Sequence, residues 1–429
     1  MRKAHLSVLA TAAAAALAPQ ARAGGFYLQE QSVRGAGRAF SGEVADTGVA
    51  SLWWNPAAIA RSGREAYVGL HGVIVDGEID NAGSTITYPG GLTLPIQGQP
   101  RAFKPIEPGL LPNLAVATPI GDRLAVGVSV SAPYNFTTKY DRRAWTRYDA
   151  LTSDLRTVDL QFTGALRATE WLDLGVAAHA ERTEAFLSSA YPNLSPLLPD
   201  GRTELEGDGW DWGWAVGAQL HFDRLTVGAS YKSKIEHKLD GTVTVSGLLP
   251  PLPAAANFTT DASASVTTPW IATLGARYAL TDQLTLNAQV QRIGWGEFDA
   301  IRVRLPTATQ VIEQDYKDVT TGGIGFDYVL NPALTLRAGV QYDPTPTPDV
   351  GRTARVPDGD RWLFGAGATA TVSERLTFDA ALAYIHFKDS RINRTDVFNA
   401  GTPAATTTRL NGTVKGAGYV MSIGARMNF

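Results

Sequence analysis

The chain has 429 residues, 44% of them hydrophobic, and a formal net charge of −3. After the first twenty residues no apolar run approaches the roughly 20 residues that a membrane-spanning helix needs, which excludes a bundle of membrane helices. The absence of cysteine excludes disulfides, thiolate metal sites and cysteine nucleophiles. The charge balance excludes a strongly basic nucleic-acid-binding surface, so we expect no nucleic acid as a partner.

The N-terminus has the three parts of a secretory signal peptide. Arg2 and Lys3 form its charged start, an alanine-rich apolar core follows, and Ala21-Arg22-Ala23 is a small-x-small cleavage site. We therefore predict a signal peptide over residues 1–23, and an exported mature chain that begins at Gly24.

Residues 24–62 form a second segment, in which apolar and polar residues do not alternate. Glycines interrupt it repeatedly, and Asn55-Pro56-Ala57 lies near its end. We predict a compact irregular segment here, ahead of the first strand.

From residue 63 to residue 429 the sequence repeats one unit, a tight polar turn followed by a strand in which apolar and polar residues alternate. The stretch 334–342 is the clearest example, because its even-numbered residues are apolar and its odd-numbered residues are Thr, Arg, Gly and Gln. A period of two is the signature of a β-strand. Six such turns lie near residues 122, 170, 223, 282, 331 and 373.

These turns predict the number of strands and the kind of fold. Six turns that each join two strands, a first strand from Glu65 and a last strand that ends at Phe429 make 14 strands, and bacterial single-chain barrels have even numbers. So many strands with so few helices leave the apolar face to be covered by lipid. We predict an all-β fold, a 14-stranded antiparallel transmembrane β-barrel over residues 63–429. Because its lumen is too wide for wall side chains to fill, residues 24–62 are expected to plug it as a hatch.

The two ends of the predicted strands differ in the length of their connections. Longer connections lie near residues 80–106, 138–152, 188–207, 247–257, 300–313, 344–359 and 390–412. In outer-membrane barrels the short turns are periplasmic and the long loops are outside. The outward-facing terminal Phe429 is similar to the signal read by the barrel assembly machinery. We therefore predict the outer membrane of a Gram-negative bacterium, with this machinery, membrane lipids and lipopolysaccharide as partners.

The start of the mature chain resembles that of the FadL-type family, outer-membrane transporters of long-chain fatty acids or aromatic hydrocarbons. The matching stretches are residues 24–30, 35–43 and 45–46, together with Asn55-Pro56-Ala57. The resemblance implies a hatch inside a 14-stranded barrel, with Asn55, Pro56 and Ala57 anchoring the hatch to the wall. The tripeptide is also an ordinary turn signal, and it recurs at Asn331-Pro332-Ala333, where we predict a turn.

The third strand contains Ala132, Pro133 and Tyr134. A proline cannot donate to a strand ladder, so it marks a bulge, an edge or a break. The resemblance implies an inward kink at these residues that opens a lateral gate in the wall. The alternative is that Pro133 merely ends the strand near the outer surface.

Two predicted outer loops carry clusters of leucine and proline, and clustered exposed leucines typically mark an interaction surface. The resemblance implies that they form a groove for a hydrophobic ligand, which passes to a lumen pocket with Phe26 as a contact. A shift of the hatch then releases the ligand sideways into the membrane. The alternative is that the leucines pack on their own barrel rim. The ligand-binding candidates are Phe26, Leu194, Leu197, Leu198, Leu248, Leu249 and Leu252.

The identity of the hydrophobic ligand stays open between fatty acids and aromatic hydrocarbons. A fatty acid would need a partner for its carboxylate, and Arg277, Arg337 and Arg426 face the lumen by alternation. We expect these arginines to be paired instead with Asp379 and other acids.

Three alternative functions have less support in the sequence. The sequence of a general diffusion porin would also alternate between apolar and polar residues and end on phenylalanine. The predicted plug and the leucine-rich loops argue against a porin. A lipase or protease barrel lacks support, since neither HExxH nor GxSxG occurs. Adhesion or phage reception has no sequence signal here. We therefore expect a monomeric transporter rather than an enzyme, with no cofactor and no metal.

Overall fold

A computed structural model describes residues 25–306 and 308–429 of the chain. The predicted signal peptide over residues 1–23 lies outside the described residues. No helix within the described ranges is long and apolar enough to cross a membrane.

Fourteen antiparallel strands, each paired with its neighbours in chain order, form a closed barrel, which confirms the predicted fold. β1 and β14 close the barrel over the whole length of β1, from the Glu65–Asn428 pair to the Asn81–Gly412 pair. The strands are β1 Glu65–Asn81, β2 Arg101–Phe103 with Gly109–Ile120, β3 Leu124–Ser131 with Phe136–Lys139, β4 Thr152–Arg167, β5 Leu172–Tyr191, β6 Gly201–Phe222, β7 Leu225–Lys232 with Ile235–Ser246, β8 Phe258–Thr268 with Ile271–Ala279, β9 Leu284–Ile293 with Ala300–Arg304, β10 Thr309–Glu313 with Val319–Asn331, β11 Leu334–Asp343, β12 Arg361–Thr371, β13 Leu376–Phe387 with Ser390–Phe398 and β14 Thr406–Asn428.

The remaining elements are short. Inside the barrel lie α1 Val33–Gly37 and the 3-10 helices Glu43–Ala45, Val49–Ser51 and Pro56–Ile59. The 3-10 helix Ala254–Ala256 lies between β7 and β8, and Trp295–Glu297 lies between the two pieces of β9. A hairpin of Thr85–Thr87 with Thr93–Pro95 extends β14.

Alternating burial along the strands separates a lipid face from a lumen face. Leu274, Ile324 and Ile423 are exposed on the outside by 53%, 63% and 64%, whereas Gln219 and Asp379 are buried on the inside. Aromatic rings form a row in the middle of β6 to β8, at the edge of the apolar band, where Trp214, Tyr231 and Trp270 follow one another at 5.5 and 6.1 Å. Aromatic side chains favour such a position because one end of the ring is apolar and the other is polar.

The six tight turns lie where the sequence predicted them, but several predicted loops are too long. β5 extends to Tyr191 and β6 begins at Gly201, which reduces the connection predicted over residues 188–207. β13 extends to Phe398 and β14 begins at Thr406, which reduces the one predicted over residues 390–412 in the same way. These strands continue because they pair with each other beyond the apolar band, for example Gly201 with Tyr191.

Residues 25–62, which we call the lumen segment, run through the interior and pack on glycines of the wall. A Cβ added to Gly339 of β11 would lie 2.1 Å from the carbonyl oxygen of Arg38. One added to Gly365 of β12 would lie 2.3 Å from that of Ala36, and one on Gly228 of β7 would lie 2.1 Å from that of Val44. The missing side chains therefore create the space in which the lumen segment fits.

Replacing Gly339 by alanine tests this close approach. The added methyl group would overlap the Arg38 carbonyl, and overpacking costs about 1–3 kcal/mol. We expect a lower thermal unfolding temperature in detergent and faster proteolysis of the lumen segment. Gly322→Ala on β10 is the control, because its Cβ would meet no atom closer than 4.0 Å. Equal effects of the two substitutions would contradict the packing explanation.

Candidate functional site

A narrow apolar cavity of about 80 Å³ lies between the start of the lumen segment and the inner faces of β4 to β9. This volume is well below the roughly 300–1,000 Å³ typical of small-molecule sites, so a long ligand would enter only if the lining moves. The apolar lining consists of Phe26, Phe136, Leu155, Ala185, Leu187, Leu205, Leu239, Ala262, Ala264, Val266, Phe298, Ile301 and Val356.

Phe26 lies at the centre of an aromatic cluster at the inner end of this cavity. Its ring centroid is 4.8 Å from that of Trp295 and 5.0 Å from that of Phe298. Phe136 and Tyr134 follow at 5.9 and 6.0 Å. Edge-to-face contacts of this kind add about 0.5–1.5 kcal/mol per pair to the burial of the rings. The predicted contact residue Phe26 therefore closes the inner cavity.

A second, wider cavity of about 500 Å³ lies nearer the long loops. Leu187, Leu205, Ile301 and Arg355 line both cavities, so the two spaces share a junction. The wider cavity lies within the roughly 300–1,000 Å³ typical of small-molecule sites. Its further apolar lining includes Val243, Val245, Leu248, Phe258, Val303, Ile312 and Phe398.

Charged side chains are concentrated on one side of this junction. Arg355 donates from Nη1 to the Ser153 hydroxyl at 3.1 Å and to the Ser188 carbonyl at 3.4 Å. Burial raises the pKa of the Asp149 carboxyl, although Arg394 and Arg355 act against that shift. Burial also lowers the pKa of the Arg355 guanidinium, and Asp149 opposes this change. The junction thus combines apolar walls with a buried cation.

Among the predicted loop leucines, only some reach the cavities. Leu248 lines the wider cavity, and Leu252 packs against the apolar cluster beside it. Leu197 is 92% exposed at a loop tip. The remaining predicted residues Leu194, Leu198 and Leu249 are partly buried outside both linings, so their ligand-binding role stays a prediction.

Asn193, which the sequence analysis did not single out, connects the two leucine loops. Its amide nitrogen donates to the carbonyls of Pro199 at 2.7 Å and Gly247 at 3.0 Å. Its amide oxygen accepts from the Leu249 N–H at 2.8 Å. The loops therefore form one rim.

Asn55, Pro56 and Ala57 lie deep in the barrel against the wall. Asn55 caps the 3-10 helix that starts at Pro56, and its side-chain oxygen accepts from the Ala57 N–H at 2.9 Å. Its amide nitrogen donates to Val44 at 2.7 Å and to Ala218 of β6 at 3.1 Å. A Cβ on Gly217 would lie 1.9 Å from the Asn55 side-chain oxygen, so the asparagine requires a glycine opposite it.

A network of ion pairs fixes the middle of the lumen segment. Arg38 contacts Glu43 and Asp46 within the segment and Asp327 of β10 at 3.3 Å. Burial alone would raise the pKa of the Asp46 carboxyl, but Arg277, Arg34 and Arg38 hold that pKa well below its usual value. Such pairs stabilise the fold only when they remain complete, because a buried charge without its partner is strongly destabilising.

The three lumen arginines considered as carboxylate partners are paired as expected. Arg277 lies 3.1 Å from Asp327, and the Arg337 Nε donates to the same carboxylate at 2.9 Å. The Arg426 Nε lies 3.2 Å from Asp379. They belong to the network that binds the lumen segment rather than to either cavity.

β3 is interrupted at the residues where the sequence predicted a kink. The first piece of β3 ends at Ser131 and the second begins at Phe136. Ala132, Pro133 and Tyr134, which lie between the two pieces, are buried. The Pro133 carbonyl accepts from the N–H of Leu28, and Tyr27 forms a β-bridge with Tyr134. The chain therefore leaves the wall here and pairs with the lumen segment, while a gating role stays a prediction.

Several lining residues were missed in the sequence, although a signal for them exists. In Ile235–Ser246 the buried positions are apolar except for His237, whereas the alternate residues Glu236, Lys238 and Asp240 are exposed. The alternation is thus inverted relative to the membrane-embedded half of β7. Apolar inward residues with charged outward ones indicate a strand that has left the lipid and lines an apolar interior. Phe136, Phe298 and Arg355 have no comparable local signal.

No group of three or more His, Cys, Asp or Glu side chains among the described residues has an arrangement that could hold a metal ion.

The two Asn-Pro-Ala tripeptides allow a matched test of the anchor. Asn55→Ala removes the side-chain hydrogen bonds to Val44 and to Ala218 of β6 and the bond that caps the Ala57 N–H, and each lost bond costs about 0.5–1.5 kcal/mol. We expect faster amide exchange in residues 43–58. Asn331→Ala is the control, because that exposed turn makes the same bond to its own Ala333 N–H but none to the lumen segment. Unchanged exchange in Asn55→Ala would argue against an anchor.

Comparisons with known proteins agree with this geometry. The family model described as outer membrane protein transport protein (OMPP1/FadL/TodX) matches residues 14–429. A long-chain fatty acid transport protein of Escherichia coli O6:H1 is 27% identical over 412 residues, which covers 87% of this chain and 89% of the relative. Outer membrane protein P1 of Haemophilus influenzae is 26% identical over 435 residues, covering 91% and 92%.

Two solved structures are similar over nearly the whole chain. A Pseudomonas aeruginosa FadL homologue superposes with a TM-score of 0.82 at 25% identity, covering 95% of this chain and 100% of that one. The Pseudomonas putida toluene transporter TodX gives 0.68 at 17% identity with the same coverage and supports the fold alone.

Proposed function

Because the chain belongs to the outer membrane protein transport family (OMPP1/FadL/TodX), we propose that this outer-membrane transporter takes up long-chain fatty acids through its two joined cavities. The observation that carries the proposal is the apolar junction with a buried arginine beside it. A relative at 27% identity that is named for long-chain fatty acid transport also favours this ligand class.

The filled lumen favours a ligand path over an open pore. Residues of the lumen segment such as Leu52, Ile59 and Trp54 are almost completely buried inside the barrel. A water-filled channel does not help an apolar solute to cross, because the transfer of apolar surface into water is unfavourable in free energy. A chain of apolar sites lowers that cost at each step.

Binding would begin at the rim and in the wider cavity. Leu248 lies there among other apolar side chains, and the loop leucines beyond it offer exposed apolar surface for capture. Transfer inward follows the residues that both cavities share, among them Leu205 and Ile301. The narrow inner cavity would receive the end of the acyl chain only when the Phe26 ring moves aside.

Arg355 supports a carboxylate as the polar end of the ligand. Arg355 lines both cavities, whereas Arg277, Arg337 and Arg426 line neither of them. A charge-assisted hydrogen bond between guanidinium and carboxylate is about twice as strong as a neutral one. A neutral hydrocarbon would make no use of this group.

The hatch movement would be confined to the first residues of the lumen segment. The part from Val33 onward is held by Arg38 and Asn55 to several strands, whereas Phe26 is held mainly by ring contacts. The ligand must bind the shifted state more tightly than the resting one, because equal affinity for both would move nothing. Exit near Ala132, Pro133 and Tyr134 into the bilayer completes the path.

We extend the proposal to the predicted partners. The barrel would act as a monomer in contact with membrane lipids and lipopolysaccharide, inserted by the barrel assembly machinery through its terminal strand and Phe429.

Arg355→Met tests the carboxylate assignment. The substitution keeps an apolar stem but removes the charge, and losing a charged hydrogen bond at about 1.5–3 kcal/mol weakens binding roughly ten- to a hundredfold. We expect this loss for palmitate and little change for hexadecanol, measured with the purified protein in detergent. Arg409→Met is the control, since this exposed arginine lies outside both cavities. Equal weakening of both ligands would contradict a carboxylate partner.

Conductance in planar bilayers separates the transporter from a porin. The lumen segment obstructs the interior, so we expect no large steady ionic current from the purified protein. A sustained porin-sized conductance, together with failure to bind palmitate, would favour a general diffusion pore instead.

A further inference from the structure

Three carboxylates lie side by side on the inner faces of β4, β5 and β6. Glu181 of β5 is paired in register with Asp159 of β4 on one side and with Asp211 of β6 on the other. Neighbouring strands lie about 4.8 Å apart, and like charges directly opposite each other are destabilising. Asp159 and Glu181 are buried, whereas the Asp211 side chain is 16% exposed. Glu181 is therefore the buried middle member of a row of three acids.

Two buried histidines contact this row of acids. The His179 Nδ1 is 2.9 Å from an oxygen of Asp159. The His237 Nε2 is 3.4 Å from Glu181, and the Nδ1 of the same ring is 3.5 Å from Asp211. The His237 ring therefore joins the buried middle acid to the partly exposed one.

A polar cavity of about 30 Å³ lies beside the acids. A water molecule needs about 10–15 Å³, so the cavity admits a water molecule or a carboxylate oxygen of similar size. Three buried polar atoms of its lining have no hydrogen-bond partner among the described residues, namely His179 Nε2, Glu181 Oε1 and Lys232 Nζ. Buried polar atoms without a partner are rare in folded proteins, so these three atoms indicate a site for a small polar group.

The charges around this cavity do not balance. Lys232 of β7 contributes one cation, which lies 4.0 Å from the centre of the Trp53 ring of the lumen segment. The side chains that reach the cavity from the interruption of β3 and from β8, among them Tyr134 and Thr268, carry no formal charge. With neutral histidines the group has three negative charges and one positive charge, and unpaired charge is costly in a buried site. One bound proton reduces this cost.

We propose that Glu181 holds a proton at neutral pH and passes it to the carboxylate of an outgoing fatty acid. The proton belongs on Glu181 because this acid faces a negative neighbour on both sides. The transfer breaks the O–H bond of Glu181 and forms an O–H bond on the ligand, which leaves Glu181 as a carboxylate. The ligand then meets the hydrocarbon as a neutral acid, which costs far less there than a carboxylate does.

The position of the polar cavity suits both the ligand and the supply of protons. Tyr134 lines this cavity, and its ring lies 6.0 Å from that of Phe26, which lines the narrow apolar cavity. Lys232 attracts the carboxylate as the head group follows the acyl chain. A new proton reaches Glu181 from the surface through Asp211 and His237. The bound proton follows from this geometry, and only its delivery rests on the proposed function.

Infrared spectroscopy of the purified protein at neutral pH measures the bound proton. We expect an absorption band of a protonated carboxyl group that is lost in Glu181→Gln, since glutamine has the shape of the protonated acid but carries no such group. Glu65→Gln is the matched control. Glu65 is also a buried glutamate, but it accepts from the Val49 N–H at 2.7 Å and lies 3.9 Å from Arg426. A band that persists in Glu181→Gln, or that is lost equally in Glu65→Gln, overturns the proposal.

Transfer of radiolabelled ligand into lipid vesicles that contain the protein measures the delivery of the proton, with protein-free vesicles as the baseline. We expect Glu181→Gln to slow palmitate about a hundredfold at neutral pH, the low end of what a positioned proton donor contributes. The rate for hexadecanol should not change, because the alcohol has no charge to lose. The palmitate rate of the variant should recover as the pH is lowered, since more palmitate then arrives already protonated.

The outcomes separate the bound proton from the proposed ligand. Equal slowing of palmitate and hexadecanol, or no recovery at lower pH, overturns the delivery step, because either result would reflect a purely structural effect. Loss of the infrared band without any change in palmitate transfer overturns it as well. If the unmodified protein transfers no palmitate, the proposed function and the delivery step both fail, and the infrared band still decides whether Glu181 holds a proton.

Should Glu181→Gln fail to fold, Asp211→Asn replaces it. Asparagine keeps an acceptor for the Lys238 N–H, which Asp211 accepts at 3.0 Å. The substitution removes one of the two negative charges that favour the proton on Glu181, so we expect a weaker carboxyl band. An unchanged band in Asp211→Asn would then overturn the proposal.

Discussion

A polypeptide surrounded by hydrocarbon must pair its own backbone groups, since no water is present to bond them. The closed ladder from β1 to β14 meets this requirement almost everywhere. Several strands are interrupted, and in the break of β3 Pro133 has no N–H to donate and the chain turns inward. Side chains and the lumen segment take over the missing bonds there, so the barrel and its interior form one hydrogen-bonded unit.

The lumen segment divides into two parts that differ in how they are held. From Val33 to about residue 60 it is fixed by complete ion pairs, by the Asn55 cap and by contact with glycines of the wall. Its first residues depend on the aromatic cluster around Phe26 and on a few hydrogen bonds. Cooperative opening of a small part costs less than displacement of the whole segment. Movement of these first residues would therefore take place beside the inner cavity and beside the interruption in β3.

The long-loop half of the barrel provides the ligand path because its strands change character. In the half of the barrel near the tight turns, apolar residues face lipid and polar residues face the lumen segment. In the half near the long loops, strands such as β7 turn apolar residues inward and charged residues outward. The same period-two geometry thus builds two different interiors. Arg355, contributed by a long connection rather than a strand, adds the cation at the junction.

Period-two alternation and turn chemistry are local properties, so the 14 strands, the six short turns and the strand faces within the apolar band could be predicted from the sequence alone. The resemblance to the family also pointed to Asn55 as an anchor and to Phe26 as a ligand contact, and the chemistry of proline pointed to an interruption of the strand at Pro133. The sequence pattern overestimated the loops at residues 188–207 and 390–412, because strand pairing beyond the lipid depends on the neighbouring strand. The three-dimensional contacts were needed to show which arginine lies beside the cavities and which loop leucines reach them. These contacts join residues up to about three hundred positions apart, and no local pattern records which distant side chain will meet another.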